Sequence, residues 1–315
     1  MSSFFDAVQV FFEHLAAVRW TPLAIALGFH ILKLFFRAIA WRSILQASYP
    51  DARIRLRHVF GAYVAGVGVN SIAPARGGDL VKLYLVKHRI DGSKYATLAP
   101  TLIVETIFDM VVASVLLIWA AAIGALPAKE VVARRPTIDW HWFVDHDRFT
   151  LVLLGVIFVI AVIAFVYARR RALEFRERFA QGFAILHDPR RMVVGVIVPQ
   201  AISWVFRVAT LYYFLKAFGV HATLHNALLV QVVDSLATLF PATPGGAGTK
   251  QGLIVLLFRG EAASRTLLVS FSVGMNIALV VCNVALGAIA LLLMARTLSW
   301  KRLKVRQAAE EPTPT

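Results

Sequence analysis

The hydrophobic positions along the chain fall into long runs separated by short polar segments. A membrane-spanning helix needs about 20 consecutive, mostly apolar residues. Five runs are long enough to be full spans: residues 20–41, 96–126, 149–168, 193–218 and 266–295. Two further apolar stretches, 58–90 and 225–259, are interrupted in the middle by proline and glycine. This pattern predicts an all-α polytopic membrane protein with five transmembrane helices.

The positions of the basic residues indicate how the two interrupted stretches are arranged. Lys and Arg concentrate in the cytoplasmic loops of membrane proteins. More than twice as many of these residues fall on one side as on the other, but only if each interrupted stretch enters and leaves on the same side. We therefore predict that 58–90 and 225–259 are re-entrant broken-helix hairpins, the first entering from the cytoplasm and the second from outside.

The same pattern divides the chain into five parts. Residues 20–168 and 193–295 form two membrane repeats, each with one hairpin. Residues 1–19 are expected to form an interfacial amphipathic helix, residues 169–192 a basic cytoplasmic connector, and residues 296–315 a basic and then disordered cytoplasmic tail. We expect a multi-pass protein of the bacterial inner membrane.

Composition argues against a soluble domain, a nucleic-acid partner and a cysteine-based site. Of the 315 residues, 59% are hydrophobic and 16% are charged, whereas soluble domains have about 25% charged residues. The net charge of +15 is explained by membrane topology, so we expect no nucleic-acid partner. Cys282 is the only cysteine, which excludes an internal disulfide and a cysteine-based metal cluster.

An internal repeat relates the two halves at an offset of 170 residues. The segment FRAIAWRSILQA, from Phe36, matches FRVATLYYFLKA, from Phe206, and aligns Arg37 with Arg207. With no gap, Pro74 aligns with Pro244 and Gly78 with Gly248. Inverted repeats with broken helices at matching positions are typical of transporters that bind their substrate near the bilayer midplane. Two unrelated proline and glycine kinks are the alternative, since both residues are common in membrane helices.

Ten charged residues lie at apparent membrane depth, where each costs about 2.5–3.5 kcal/mol unless it is paired or hydrated. They are Lys33, Arg37, Arg76, Lys82, Arg207, Lys250, Asp79, Glu105, Asp109 and Asp234. Glu105 and Asp109 are four residues apart and share one helix face. Asp79, Glu105, Asp109 and Asp234 are candidate substrate-binding and proton-linked groups. The alternative for Glu105 and Asp109 is that they simply neutralise a cation such as Arg76, Lys82 or Arg207.

Arg37 and Arg207 are the repeat-related pair of cations. A guanidinium is always charged and binds phosphate through two parallel hydrogen bonds. Two of them at a shared cavity indicate an anionic lipid headgroup as the substrate. For Arg37 the alternative is a side chain that reaches to the interface, because Trp41 and Arg42 lie nearby.

Each break contains a glycine-rich turn before a new helix, in PARGGDLVK and TPGGAGTKQG. Such a turn points unpaired N–H groups and the positive end of a helix dipole at an anion. The candidate substrate-binding residues in and around these turns are Arg76, Gly77, Gly78, Asp79, Lys82, Pro244, Gly245, Gly246, Gly248, Lys250 and Gln251. Neither turn has the spacing of an ATP-binding loop, and no hydrolase or metalloprotease motif is present. We therefore expect no cofactor, no metal and no catalytic site.

Three motifs resemble the flippase-like family named for the transmembrane region of lysylphosphatidylglycerol synthase. That family has motifs similar to PxRxGDxxR, ERxxD and PGGxGxRE. Here they are PARGGDLVK (Pro74–Lys82), ETIFD (Glu105–Asp109) and PGGAGTKQ (Pro244–Gln251). The resemblance implies movement of an anionic or modified lipid (aminoacylated, polyprenyl-linked or hopanoid-type) between leaflets. It also implies roles for Arg76, Asp79, Lys82, Glu105, Asp109, Lys250 and Gln251 at the site.

The sequence departs from the family motifs at four positions. Lys82 and Lys250 replace arginines, which keeps the charge and loses the two-pronged geometry. Thr106 replaces an arginine and Gln251 a glutamate. Two alternatives to a flippase stay open: a membrane-embedded lipid-headgroup transferase with Glu105 or Asp109 as base, and a non-transporting partner of a lipid-modifying synthase. The oligomeric state is left open.

Overall fold

A computed structural model describes residues 17–73, 77–123, 177–239, 249–258 and 264–310. The regular structure within these ranges is helical. In chain order the helices are α1 (Trp20–Ser48), α2 (Leu56–Asn70), α3 (Gly77–Lys87), α4 (Tyr95–Ala122), α5 (Pro189–Ala217), α6 (Leu224–Leu239), α7 (Thr249–Leu257) and α8 (Arg265–Glu310). Helix α5 contains a π-helical turn, Val193–Ile197, and is preceded by a short 3₁₀ helix, Ala184–His187.

Four of the described helices are long and apolar enough to cross a membrane. They are α1, α4, α5 and the Arg265–Met294 part of α8. The prediction of an all-α membrane protein is confirmed. The span predicted at 149–168 lies outside the described residues, as do residues 1–16 and the first eight residues of the basic connector, 169–176.

Two helices continue beyond their predicted ends. Helix α1 extends from the predicted end at residue 41 to Ser48, because Ile44 and Leu45 are fully buried in the core. Helix α8 runs to Glu310, so residues 307–310 are helical although the sequence places them in the disordered tail. The chain has no glycine or proline between Arg296 and Glu310, and Pro312 is the first residue that must interrupt a helix.

Each interrupted stretch forms two short helices, one before its break and one after it. Helices α2 and α3 have 15 and 11 residues, and α6 and α7 have 16 and 9. At 1.5 Å per residue each is at most about 24 Å long, shorter than the 30 Å hydrocarbon core. Helix α3 folds back on α2, since Gly78 packs directly against the carbonyl of Gly66. Helices α6 and α7 also contact each other.

The helices of the two halves follow the 170-residue repeat. Adding 170 to the first residues of α1, α2, α3 and α4 gives 190, 226, 247 and 265. The helices α5, α6, α7 and α8 begin at 189, 224, 249 and 265. Four successive helices therefore recur in the same order and at the same spacing.

Equivalent helices of the two halves run in opposite directions where they meet. The N–H of Arg19, just before α1, donates to the carbonyl of Ala217 at the end of α5 (2.9 Å). At the other end of the pair, Gly195 of α5 packs against Ser43 of α1. The contacts of the hairpins are also exchanged: α2 packs on α8, and α6 packs on α4. This is the geometry of an inverted repeat.

Two apolar cores lie in succession along α1 and α8. One contains Trp41 of α1 and Met294 of α8, together with side chains of α2 and α3. The other contains Ala26 of α1 and Phe271 of α8, together with side chains of α5, α6 and α7. The intervening parts of α1 and α8 carry polar residues, which places the candidate site between the two cores.

Candidate functional site

Arg37 of α1 holds together the charged residues of the first half. Its Nη2 lies 2.7 Å from Oε1 of Glu105 and 2.6 Å from Oδ2 of Asp109, and its Nη1 donates to Oδ1 of Asp109 at 3.0 Å. The two acids are one turn apart on α4, so one guanidinium spans both. Arg37 is therefore neutralised inside the protein, and it neither reaches to the interface nor offers a free guanidinium to a substrate.

Tyr63 and Lys82 extend this cluster to the first hairpin. The hydroxyl of Tyr63 accepts from Nε of Arg37 and donates to Oε1 of Glu105, both at 2.5 Å. The Nζ of Lys82 lies 3.9 Å from the centre of the Tyr63 ring, 3.6 Å from Oδ1 of Asp79 and 4.0 Å from Oε2 of Glu105. Of the cations that the sequence proposes as partners of Glu105, the structure brings Lys82 close, but Arg37 is the principal partner.

Protein oxygens lie at the N-terminus of α3 and satisfy one of its amides. The N–H of Gly78 donates to Oδ1 of Asn70 (2.7 Å), and Nδ2 of Asn70 donates to Oδ1 of Asp79 (3.2 Å). The carboxylate of Asp79 lies in the first turn of the helix, where it complements the helix dipole. The sequence predicts an anion at this turn. The structure satisfies one amide of α3 with Asn70, a residue that the motif analysis missed, and residues 74–76 of the turn lie outside the described part of the chain.

Arg207 of α5, the repeat equivalent of Arg37, has a different environment. Its Nε donates to Oε1 of Gln231 at 2.5 Å, and its guanidinium lies 4.9 Å from the centre of the Trp204 ring. The Nε1 of Trp204 donates to Oδ1 of Asp109 at 3.0 Å, which connects the two halves. Among the residues that the structure describes, none places a carboxylate within 4.0 Å of Arg207.

The difference between the two arginines follows from the sequence of the last helix. Adding 170 to 105 and 109 gives Met275 and Leu279 of α8, so the second half has no acids at the positions that neutralise Arg37. Asp109 and Asp234 are close enough to interact electrostatically with Arg207 without forming an ion pair. Arg207 thus keeps positive charge that a ligand can neutralise.

The second hairpin has its own ion pair. The Nζ of Lys250, on α7, lies 2.6 Å from Oδ1 of Asp234, on α6, and Lys250 is buried. Gln251 follows on α7 and is half-buried, and Gly77 begins α3. The remaining predicted site residues lie outside the described part of the chain: Arg76, Pro244, Gly245, Gly246 and Gly248.

A chain of polar side chains between the two cores was not singled out by the motifs. The Nζ of Lys33 lies 3.0 Å from Nδ1 of His30, and Nε2 of His30 lies 2.7 Å from Oδ1 of Asn283 on α8. The Nδ2 of Asn283 donates to Oγ of Ser71, at the end of α2 (3.1 Å). The available signal was the presence of His30 and Asn283 inside otherwise apolar runs.

The described charged residues at membrane depth carry a small positive excess. There are five cations (Lys33, Arg37, Lys82, Arg207 and Lys250) and four acids (Asp79, Glu105, Asp109 and Asp234). Within the part of the chain that is described, only Lys33 and Arg207 of these cations have no carboxylate within 4.0 Å. The same part contains no group of three His, Cys, Asp or Glu side chains suited to a metal ion.

The chain is similar to several curated membrane proteins of archaea. Two are described as UPF0104 membrane proteins of Methanothermobacter thermautotrophicus. One is 24% identical over 259 residues, covering 75% of this chain and 74% of the relative. The other is 23% identical over 295 residues, covering 86% and 83%.

A further relative is described as Glycosyltransferase AglD of Haloferax volcanii. It is 25% identical over 266 residues, covering 72% of this chain and 41% of that protein. No solved structure matches the chain. The family model described as the lysylphosphatidylglycerol synthase TM region matches residues 4–287. Because this match covers most of the chain, and the fold is an all-α membrane fold, the protein belongs to the lysylphosphatidylglycerol synthase transmembrane-region family.

Proposed function

We propose that the protein moves an anionic or modified lipid between the leaflets of the cytoplasmic membrane. The headgroup would pass the charged residues between the two repeats while the acyl chains stay in the bilayer. An inverted repeat with a broken helix pair in each half supports this function, because transporters use this arrangement to open one site to alternate sides of the membrane. Membership of the family is consistent with lipid as the substrate class.

The observation that carries the proposal is the position of Arg207. It lies on a membrane-spanning helix, where an uncompensated charge is costly and is retained for function. The described residues give it an amide oxygen and an aromatic ring as close partners, and no carboxylate within 4.0 Å. A phosphate would provide the missing charge and two acceptor oxygens in the planar geometry that a guanidinium prefers.

The environment of Glu105 argues against a catalytic role. A general base needs a carboxylate oxygen that can reach a substrate proton. Oε1 of Glu105 already accepts from Arg37 and Tyr63, Oε2 faces Lys82, and the residue is 3% exposed. Both oxygens of Asp109 are also engaged, since Oδ1 accepts from Arg37 and Trp204 and Oδ2 accepts from Arg37. We therefore propose that the protein is not an enzyme, and that Glu105 and Asp109 stabilise the bundle.

A second candidate is a membrane subunit that serves a lipid-modifying enzyme without moving lipid itself. The similarity to Glycosyltransferase AglD favours it, because the matched region is 41% of that protein and is joined there to further sequence. A partner enzyme would then supply the chemistry. The two candidates differ in whether the purified protein moves lipid on its own.

The test is lipid movement in proteoliposomes that contain the purified protein. Fluorescent phosphatidylglycerol is placed in both leaflets, and a membrane-impermeant quencher reports whether inner-leaflet lipid reaches the outside. We expect movement with the wild type, loss of most of it with Arg207→Gln, and wild-type movement with Arg190→Gln, an exposed arginine outside the cluster. Lack of movement by the folded wild type would favour the partner-subunit candidate.

A further inference from the structure

A large cavity opens at the end of the bundle where α1 ends and α2 begins. Its volume is about 940 Å³. We name it the basic cleft, because four arginines line it together with His58: Arg53, Arg55, Arg57 and Arg89. None of these residues belongs to the charged cluster between the repeats, so the cleft is a separate site.

Hydrogen bonds to backbone carbonyls hold the walls of the basic cleft. Nη2 of Arg89, beyond the end of α3, donates to the carbonyl of Met294 on α8 (3.1 Å). Nε of Arg42, on α1, donates to the carbonyl of Ile54 in the connection to α2 (2.8 Å). The cleft is therefore a defined feature of the fold, built where the first hairpin meets the last helix.

The electrostatics of the basic cleft favour an anion. Arg53, Arg55 and Arg57 are exposed, and within the described ranges none has a carboxylate within 4.0 Å. Two acids, Asp51 and Asp91, also line the cleft, so four guanidiniums face two carboxylates.

The surroundings of the arginines add to this positive potential. Burial, followed by repulsion from Arg57, lowers the pKa of Arg89. Helix α2 begins at the cleft with no side chain capping its first turn, so N–H groups of that turn and the positive end of the helix dipole lie beside the arginines. A bound anion would relieve the repulsion and satisfy these groups.

One wall of the basic cleft is apolar and belongs to a membrane-spanning helix. Leu293 and Met294 of α8 line it, and Leu293 is 59% exposed. An inorganic anion would make no favourable contact with this apolar wall. A lipid would, because its acyl chains can pack along α8 into the bilayer while its phosphate binds the arginines.

We propose that the basic cleft binds the phosphate of an anionic lipid headgroup at the membrane surface. This inference rests on the proposed function, in which the same lipid then reaches Arg207. The cleft would concentrate anionic lipid at one end of the pathway and select against lipids without net negative charge.

Native mass spectrometry of the purified full-length protein tests the inference. The probes are phosphatidylglycerol, phosphatidylcholine and inorganic phosphate, each titrated against the wild type and two double variants. Arg55→Gln/Arg57→Gln removes two cleft charges, and Arg190→Gln/Arg191→Gln removes two exposed charges at the same end of the bundle. Because the net charge changes equally, the second variant controls for attraction by the surface as a whole.

We expect the cleft variant to weaken phosphatidylglycerol binding about tenfold, the loss of about one charge-assisted contact. The control variant should bind like the wild type, and phosphatidylcholine should bind more weakly to all three. Equal weakening in both variants would overturn the inference and indicate surface attraction only. Displacement of phosphatidylglycerol by millimolar inorganic phosphate would also overturn it and indicate a free-anion site.

The proteoliposome assay distinguishes failure of this inference from failure of the proposed function. Unchanged lipid binding by the cleft variant, with lipid movement intact in the wild type, would overturn the cleft alone. Specific loss of binding in the cleft variant, with no lipid movement by the wild type, would keep the cleft as a lipid site and overturn the transport function.

Discussion

Phe36 and Phe206 contact each other across the two halves of the protein, with ring centroids 5.5 Å apart. The two residues are equivalent in the 170-residue repeat. When halves are related by two-fold symmetry, a residue near the axis contacts its own counterpart. The pseudo-two-fold axis therefore passes near Phe36 and Phe206. Arg37 and Arg207, the next residues in sequence, are placed beside it.

Linking the two halves near this axis should stop lipid movement. In a Cys282→Ser background, Phe36→Cys/Phe206→Cys joined by a short cleavable thiol cross-linker should lose most of its transport, because the repeats can no longer move relative to each other. Reductant should restore the transport. The measurement is the proteoliposome assay before and after cleavage of the linker.

A cross-link within one half provides the control for this experiment. Phe35 and Phe60 lie 5.7 Å apart by ring centroid, and both belong to the first repeat. Phe35→Cys/Phe60→Cys, joined by the same linker, should transport like the unlinked protein. Equal loss in both pairs would show that the linker itself is harmful, and full transport by the linked Phe36/Phe206 pair would exclude movement of the halves at this contact.

Replacement of Arg37 should mainly lower stability, whereas replacement of Arg207 should mainly lower transport. Arg37→Gln leaves the buried Glu105 without its main counter-charge, and loss of one partner of a buried pair costs about 3–5 kcal/mol. Arg207→Gln breaks a hydrogen bond to Gln231 but strands no carboxylate within 4.0 Å, at a cost of about 1 kcal/mol. Thermal unfolding of the solubilised protein measures the first effect, and transport measures the second.

The double variant Arg37→Gln/Glu105→Gln separates the ion pair from a specific need for Arg37. Removing both charges should recover part of the stability lost in Arg37→Gln, although Asp109 still lacks its partner. No recovery at all would show that Glu105 is not the group destabilised by loss of Arg37.

The sequence predicts the helices and the repeat well, because long apolar runs and a fixed offset are local properties. It also identifies Arg37, Glu105 and Asp109, since charge inside an apolar run is conspicuous. It cannot show that Arg37 pairs with both acids while Arg207 pairs with neither. That distinction depends on which faces of α1, α4 and α5 meet, and on Met275 and Leu279 at the matching positions of α8.

The role of the first glycine-rich turn is likewise a tertiary property. The motif indicates an anion-binding helix N-terminus, but Asn70 lies before the break and meets Gly78 only after the hairpin folds. Polar residues such as Tyr63 and Gln231 are also uninformative in sequence, because their partners are separated from them by a helix or more.

Alanine at Gly78 should disrupt the first hairpin, whereas alanine at Gly77 should be tolerated. A Cβ at Gly78 would collide with the carbonyl of Gly66 and lie 2.8 Å from the backbone of Asn70. Among the residues that the structure describes, a Cβ at Gly77 would meet the Cβ of Ala73, at an ordinary 3.6 Å. We expect Gly78→Ala to cost about 3 kcal/mol, at the upper end for overpacking, and Gly77→Ala to cost little. Thermal unfolding of both variants checks this, and equal stability would contradict the close α2–α3 contact.

The two ends of the first hairpin should be accessible from the same side of the membrane. Asp51 and Asp91 flank the hairpin and line the same cleft, whereas His221 follows α5 at the other end of the bundle. In a Cys282→Ser background, Asp51→Cys and Asp91→Cys should therefore react alike with a membrane-impermeant maleimide. His221→Cys should react from the opposite side.

Intact cells and inverted membrane vesicles provide the two sides for this labelling. The excess of basic residues predicts that positions 51 and 91 react in inverted vesicles and position 221 in intact cells. Labelling of positions 51 and 91 from different sides would show that residues 58–90 cross the membrane, which would remove the re-entrant hairpin and the inverted repeat together. If all three positions react from the same side, α1 and α5 do not span the bilayer, although each has 29 residues and is long enough to do so.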